Sequence, residues 1–276
     1  MKILVLGGSG MAGHVLVRYF REQGKHQVFY TSRDTSDPES LILDVTDMLA
    51  VDQAVQLVRP DLIVNAVGVL NQFADRDKIM AYHINGFLPH RLRHLADKVK
   101  AKLIHISTDC VFSGDRGNYR EDDQPDGVTT YALTKTLGEV RDEGHLTIRT
   151  SIIGPEIRPD GIGLFHWFMS QEGKVGGYRR VKWNGVTTLQ LAKAVEALMD
   201  RPVSGLIHLA HTEIVSKYEM LQMFSEIWGK TNVEIEPDDG PAIDRTLVST
   251  RTEAAVPLPS FRQMLEEMAD WMKRHG

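Results

Sequence analysis

The chain has 276 residues, 42% of them hydrophobic, a size that suits one extended α/β domain or a main lobe with a smaller second one and no independent third domain. Lysine and arginine number 32 against 37 aspartates and glutamates, so the formal charge of −5 offers no basic field: neither nucleic acid nor membrane is an expected partner, and an anionic ligand must be held locally. The single cysteine, Cys110, excludes an internal disulfide and a cysteine-rich metal site, and a reducing cytoplasm is the expected location.

The N-terminus enters the run ILVLGG after Met1 and Lys2, with four apolar residues ahead of glycine, too short for a signal segment or a membrane span. KILVLGG, AGHVLVRYFREQG, HQVFYTSR, DMLAVDQAVQLVRP, DLIVNAVGV, MAYHINGFLPHRLRHLADKVK and KLIHIST then alternate strand with helix. The strand candidates are unbroken apolar runs without period-two alternation, as expected when helices cover both faces of a parallel sheet. The fold class is therefore α/β, a doubly wound parallel sheet. Gly24 should close the first helix, Asp47 should cap the second, and Pro60 sits just ahead of the next strand.

After residue 150 the rhythm loosens. GPEIRPDGIG is rich in turns, and LFHWFM and QEGKVGGYRR follow it, before TTLQLAKAVEALMD and GLIHLA resume helix and strand. The expected division is a dinucleotide-binding domain over 1–155, to which 181–210 returns, and a smaller substrate lobe from 156–180 and 211–276. Neither an internal repeat nor a low-complexity tract is visible.

GGSGMAG sets Gly7, Gly10 and Gly13 in a G-x-x-G-x-x-G pattern between the first strand and first helix. Glycine there permits a tight turn and close approach of backbone to a pyrophosphate, whose charge meets the helix N-terminal amides, the arrangement of a Rossmann domain. The second strand ends in Ser32 and Arg33 where an NAD site usually offers an acid to the ribose 2′-hydroxyl. A guanidinium can instead meet a 2′-phosphate, so NADP(H) is the favoured cofactor. Asp34 follows immediately and can still reach a ribose, which leaves NAD(H) open.

Tyr131 and Lys135 lie one helical turn apart and share a face. A phenol ionises near ~10, and a neighbouring ammonium is expected to favour the phenolate and lower that value. Lys135 would supply the cation and reach the nicotinamide ribose. Thr108, ending KLIHIST beside Ser107, can share a hydrogen bond with the same carbonyl oxygen that Tyr131 protonates.

GGSGMAG, NAVG (65–68), STDCVFSG (107–114), YALTKTLGE (131–139) and IRTSIIGP (148–155) resemble the extended short-chain dehydrogenase/reductase superfamily, and within it the dTDP-4-dehydrorhamnose reductase branch, in order over the first 155 or so residues. The resemblance implies NAD(P)H-dependent reduction of the 4-keto group of a nucleotide-linked 6-deoxysugar, with Thr108, Tyr131 and Lys135 as catalytic triad. It further implies Gly7, Ser9, Gly10 and Met11 at the pyrophosphate, Asp44 and Val45 at the adenine, and Asn65, Ala66 and Val67 along the rest of the cofactor. Ser151 and Ile152 would sit by the nicotinamide, and Asn85 would brace the sheet. Candidate substrate contacts are Asn71, Thr108, Tyr131, Arg179, Arg180 and Trp183; for the arginines in YRRVKW, with Lys182, a surface charge cluster is the competing reading.

This chain departs from the branch next to the sugar. Cys110 follows Ser-Thr-Asp where an aromatic is common, Ile152 and Ile153 stand where relatives often carry tryptophan, and WNGVTT (183–188) replaces a Gly-x-Pro-Thr-type segment. These changes touch the identity of the nucleotide and sugar more than the reaction. Dehydration is disfavoured because Cys110 occupies the place of a second acid. The remaining alternatives are a nucleotide-sugar epimerase and a nucleotide-binding regulatory subunit resembling that of methionine adenosyltransferase. A homodimer is compatible with this reading. His83, His90, His94 and His105 lack metal-ligand spacing, so no metal is expected, and the run EDD (121–123) reads as a solvated loop or helix cap.

Overall fold

The computed structural model describes residues 1–158 and 161–275. Its first half contains β1 (Lys2–Leu6), α1 (Met11–Gln23), β2 (Gln27–Ser32), β3 (Leu41–Ile42), α2 (Met48–Val58), β4 (Leu62–Asn65), α3 (Asn71–Arg76), α4 (Lys78–Ala81), α5 (Leu88–Val99), β5 (Lys102–Thr108), α6 (Thr130–Leu137) and β6 (Leu146–Thr150). The second half adds β7 (Ile152–Ile153), α7 (Leu164–Ser170), β8 (Gly173–Tyr178), β9 (Val181–Trp183), β10 (Val186–Thr187), α8 (Thr188–Met199), β11 (Gly205–His208), β12 (Val215–Ser216), α9 (Lys217–Trp228), β13 (Val233–Asp238), β14 (Ile243–Asp244) and α10 (Phe261–His275).

Seven strands form one sheet in the order β11-β6-β5-β4-β1-β2-β3, with every pairing parallel. Successive side chains of a strand face opposite sides. Ile3 and Val5 therefore enter a core with Val15, Leu16 and Phe20 of α1 and Leu191 and Val195 of α8. Leu4 and Leu6 enter the other, with Val51, Val55 and Val58 of α2 and Leu88, Leu92 and Leu95 of α5. Burial on both faces accounts for the unbroken apolar runs. Strand order reverses between β1 and β4, and at such a switch point the carboxyl ends of the strands diverge and open a crevice.

Helix punctuation follows the sequence. Gly24 takes the left-handed conformation (φ 63°) that ends α1. Asp47 caps α2, accepting from Leu49 N and Ala50 N at 3.0 Å each, a contact that stabilises by about 1 kcal/mol. The stretch from Met80 to Lys100 is not one regular helix: Tyr82–Phe87 make a π-helical turn between α4 and α5. Such a turn redirects a side chain out of the regular register. Here Asn85 is redirected, donating from Nδ2 to Val69 O (2.9 Å) and Thr134 Oγ1 (3.1 Å) while its Oδ1 accepts from Val69 N (2.8 Å). Asn85 thus ties the loop after β4 to α6, whereas the resemblance had it bracing the sheet.

Outside the large sheet β9 lies between antiparallel β12 and parallel β14, β13 pairs with β8, and β10 pairs with β7. Phe165 packs on Trp228 (ring centroids 4.6 Å apart) and Phe224 (5.3 Å), and these rings, together with the buried face of α10, join the same core that covers Ile3 and Val5. Among the described residues no helix is long and apolar enough to cross a membrane.

Candidate active site

A cleft of about 490 Å³ runs along the carboxyl ends of β1, β2 and β4, lined by Gly7, Ser9, Gly10, Ser32, Arg33, Asp44, Val45, Ala66 and Val67 among others. The glycine loop is shaped by close approach. Gly7 has φ +82°, a conformation costly for any residue with a Cβ, and a Cβ at Gly13 would lie 2.0 Å from Gly7 O. Gly8 N donates to Thr31 O and Gly7 N to Thr31 Oγ1, which pins the turn to β2.

Other residues expected at the cofactor do not line the cleft; they support it. Gly13 lets α1 pack on the turn, and Met11 opens α1 with its sulfur beside Gly163. Asn65, fully buried, accepts from Val67 N (3.2 Å) and contacts His105 Nδ1 (3.1 Å), joining the ends of β4 and β5. Ser151 O accepts from Val186 N at 2.9 Å, and Ile152 pairs with Val186, so both stand where the sheet passes into the second lobe.

At the β2 end, Ser32 Oγ accepts from Asp34 N, and Asp34 Oδ1 accepts from Ser36 N and Ser36 Oγ within its own turn. Hydrogen bonds from Thr46 N and Oγ1, helped by the charge of Arg33, hold the Asp44 carboxyl below its ordinary range. Arg33 itself is exposed at the cleft wall. A glycine cradle with no room for side chains, an elongated cleft and a guanidinium at the ribose end fit an adenine dinucleotide carrying a 2′-phosphate.

The catalytic candidates converge beyond the cleft. Thr108 ends β5; its Oγ1 donates to Asp109 Oδ1 and accepts from Cys110 N, both at 3.1 Å. Tyr131 and Lys135 share the buried face of α6, whose first turn is capped by Thr129 accepting from Ala132 N. Val69 both lines the cleft and packs against the cluster holding Tyr131, Ala74 and Ala81. Lys135, 4% exposed, donates from Nζ to Ile106 O at 2.7 Å, anchoring α6 to β5.

The expectation that Lys135 lowers the phenol is corrected by this geometry. Burial pushes Tyr131 well above its ordinary value and the neighbouring Cys110 and Asp109 add to it, with a Thr108 hydrogen bond opposing them; Lys135 is not among the groups acting on it. The reason is orientation: the ammonium is engaged by the Ile106 carbonyl. Burial brings Lys135 itself down to about 8 against the upward pull of Glu139. Burial also raises Asp109, with Arg245 opposing, and carries the Cys110 thiol up to about 12, consistent with an inert thiol.

Glu121 corrects a second expectation. It is buried, and its carboxylate accepts from His208 N, Thr250 N and Thr250 Oγ1. The chain needs an acceptor there because His208 N of β11 and Thr250 N both point at this position. Nearby, fully buried Arg149 donates to Glu139 from Nε (2.5 Å) and Nη2 (2.7 Å), Ser107 Oγ donates to the same carboxylate (3.1 Å), and Arg149 Nη1 meets His208 Nε2 at 3.3 Å. A lone arginine inside the apolar run LTIRT was the available sequence signal for this network, because a fully buried charge requires a partner.

The remaining substrate candidates are not brought to the cleft. Arg179 is an exposed partner of Asp239, Arg180 lies beside it, and Trp183 is buried against Phe261 with centroids 5.3 Å apart. Arg179 and Arg180 form the turn between β8 and β9, and Trp183 ends β9 inside the core. Asn71 begins α3 exposed at φ 21°, also off the cleft wall. Among the described residues no group of three or more His, Cys, Asp or Glu side chains could hold a metal ion.

The parallel sheet and its switch-point cleft give the chain a Rossmann-type fold, that of an NAD(P)-dependent oxidoreductase. The sequence model of the RmlD substrate binding domain matches residues 1–272, and the chain belongs to that family. A probable low-salt glycan biosynthesis reductase of Haloferax volcanii is 27% identical over 264 residues, covering 91% of this chain and 88% of the relative. A dTDP-4-dehydrorhamnose reductase of Mycobacterium tuberculosis is 25% identical, covering 86% and 78%, and methionine adenosyltransferase 2 subunit beta of Xenopus tropicalis is 24% identical, covering 86% and 75%. Among solved structures, the dTDP-4-dehydrorhamnose reductase of Bacillus anthracis in complex with NADP has the same fold, with TM-score 0.83 at 21% identity over 99% of both chains.

Proposed function

We propose that the chain reduces the 4-keto group of a nucleotide-linked 6-deoxy-4-ketosugar, using NADP(H) by preference and NAD(H) as a second cofactor, in the making of activated deoxysugars. The observation that supports this reading is Tyr131 hydrogen-bonded to Thr108, with Lys135 one turn along α6, beside the cluster whose Val69 also lines the cleft. When bound, the dihydronicotinamide supplies the hydride that the sugar C4 accepts. The raised Tyr131 phenol stays protonated at neutral pH and delivers its proton to the carbonyl oxygen as negative charge develops there. Thr108 Oγ1 shares that oxygen, and Lys135, still largely cationic at pH 7, stabilises the phenolate left behind once its ammonium turns from Ile106 O. Residues 156–180 and 211–276 form the lobe that receives the nucleotide-sugar.

The test is NADPH oxidation, followed by absorbance, with dTDP-, UDP-, GDP- and CDP-linked 4-ketosugars. Tyr131→Phe should lower turnover by about 10²- to 10⁴-fold and leave NADPH affinity nearly intact. Retained turnover, or loss of cofactor binding with it, overturns the assignment. The relative named as a methionine adenosyltransferase subunit supports a second reading, a nucleotide-binding regulatory subunit; cofactor binding with no turnover on any ketosugar would select it. We also propose a homodimer, since α4, the π-turn and α6 pack together and leave Ile79, Tyr82, Phe87, Leu133 and Leu137 exposed. Light scattering on the same preparation would read twice the 31.1 kDa chain mass.

A further inference from the structure

The cleft carries a second guanidinium that no motif accounts for. Arg158 lies in the segment between β7 and α7, outside the glycine loop and far from it in sequence, yet its Nη2 donates to Ser9 Oγ at 3.0 Å. Both side chains line the same cleft as Gly7 and Gly10. Glu156 Oε1 accepts from Gly163 N at 2.6 Å, and Gly163 lies beside Met11, the first residue of α1.

Among the described residues no carboxylate forms an ion pair with Arg158. A guanidinium has five N–H donors, and the contact to Ser9 uses one, on a neutral hydroxyl. Among the described residues, the neighbouring carboxylates are engaged by other donors, Glu156 by Gly163 N and Asp34 by Ser36 N and Oγ. The first turn of α1 carries no acidic side chain, so its positive end adds to the excess. Arg33, the other guanidinium of the cleft, stands at the β2 end, removed from Ser9 by the glycine turn.

We infer that Arg158 binds the diphosphate of the dinucleotide from across the cleft, making the diphosphate a bridge between the glycine loop and the segment that leads into the second lobe. This rests on the assignment of the cleft to NAD(P)(H). The two guanidinia then divide the cofactor's phosphates: Arg158 takes the diphosphate common to NAD and NADP, and Arg33 takes the 2′-phosphate that distinguishes them.

Calorimetric titration of the full chain with NADPH, ADP-ribose and adenosine 2′-monophosphate separates these roles, since ADP-ribose has the diphosphate alone and the monophosphate has the 2′-phosphate alone. Arg158→Ala should weaken NADPH and ADP-ribose by about tenfold or more, the loss of a charge-assisted hydrogen bond, and leave the monophosphate within about twofold. Arg158→Lys should recover part of the loss, and Arg33→Ala should weaken NADPH and the monophosphate while sparing ADP-ribose. Arg158 is exposed, so circular dichroism should match the unsubstituted chain. Unchanged ADP-ribose affinity in Arg158→Ala overturns the inference, as does equal loss of all three ligands. A chain that binds none of the three overturns the cofactor assignment itself.

Discussion

Two buried polar clusters flank the seam between β5 and β6, and they are built on opposite terms. In the cluster of Glu139, Arg149, His208 and Glu121 the donors and acceptors answer one another: Glu139 receives Arg149 twice, Ser107 and Arg141, while Glu121 receives His208 N and Thr250. In the cluster of Thr108, Tyr131 and Lys135 the ammonium has one partner for three donors, and the phenol is raised by burial beside Asp109 and Cys110. Complete satisfaction marks a structural device, and spare hydrogen-bonding capacity beside a cleft marks a chemical one.

That contrast can be broken from either side. Tyr131→Phe should scarcely alter unfolding, whereas Arg149→Met should cost about 3–5 kcal/mol because it leaves Glu139 buried without its main cation. Urea unfolding measures both, and equal stability of the two variants would erase the distinction. Asn85→Ala comes next: it strands Val69 N and O and frees α6 from the loop after β4, with an expected cost of about 1–3 kcal/mol and reduced turnover. Unchanged thermal unfolding would show that the π-turn has no such role.

The smallest effect is a pH dependence. His208 Nδ1 donates to Val248 O and Nε2 accepts from Arg149, so the folded state holds the neutral ring; burial lowers its pKa below 6.5, with Arg149 assisting and Glu121 opposing. A histidine depressed in the folded state stabilises fully above the unfolded value, and that contribution is lost as pH falls below 6.5. His208→Gln should flatten the decline in stability between pH 6.5 and 5 by about 1 kcal/mol. The same slope in both chains would exclude His208 as its source.

The sheet was legible because burial on both faces writes itself into a chain as apolar runs, and KILVLGG and DLIVNAVGV did become adjacent parallel strands. The glycine turn was legible for a steric reason, since the approach of Gly13 to Gly7 O tolerates no side chain. Tyr131 and Lys135 were legible as one face of a helix, but the direction of their electrostatics was not. Spacing places two side chains together without revealing that a carbonyl such as Ile106 O takes up the charge. Glu121 was misread for a similar reason: its partners lie 87 and 129 residues away, beyond any local pattern. Arg158 carried no signal because GPEIRPDGIG reads only as a turn-rich connection.

The edge strand β11 and the covering helix α8 come late in the chain, after the excursion that builds part of the second lobe. During synthesis the core over Ile3 and Val5 is therefore incomplete until α8 has been made. Truncation near residue 155 would yield an aggregating fragment with an uncovered sheet face, however intact its glycine turn.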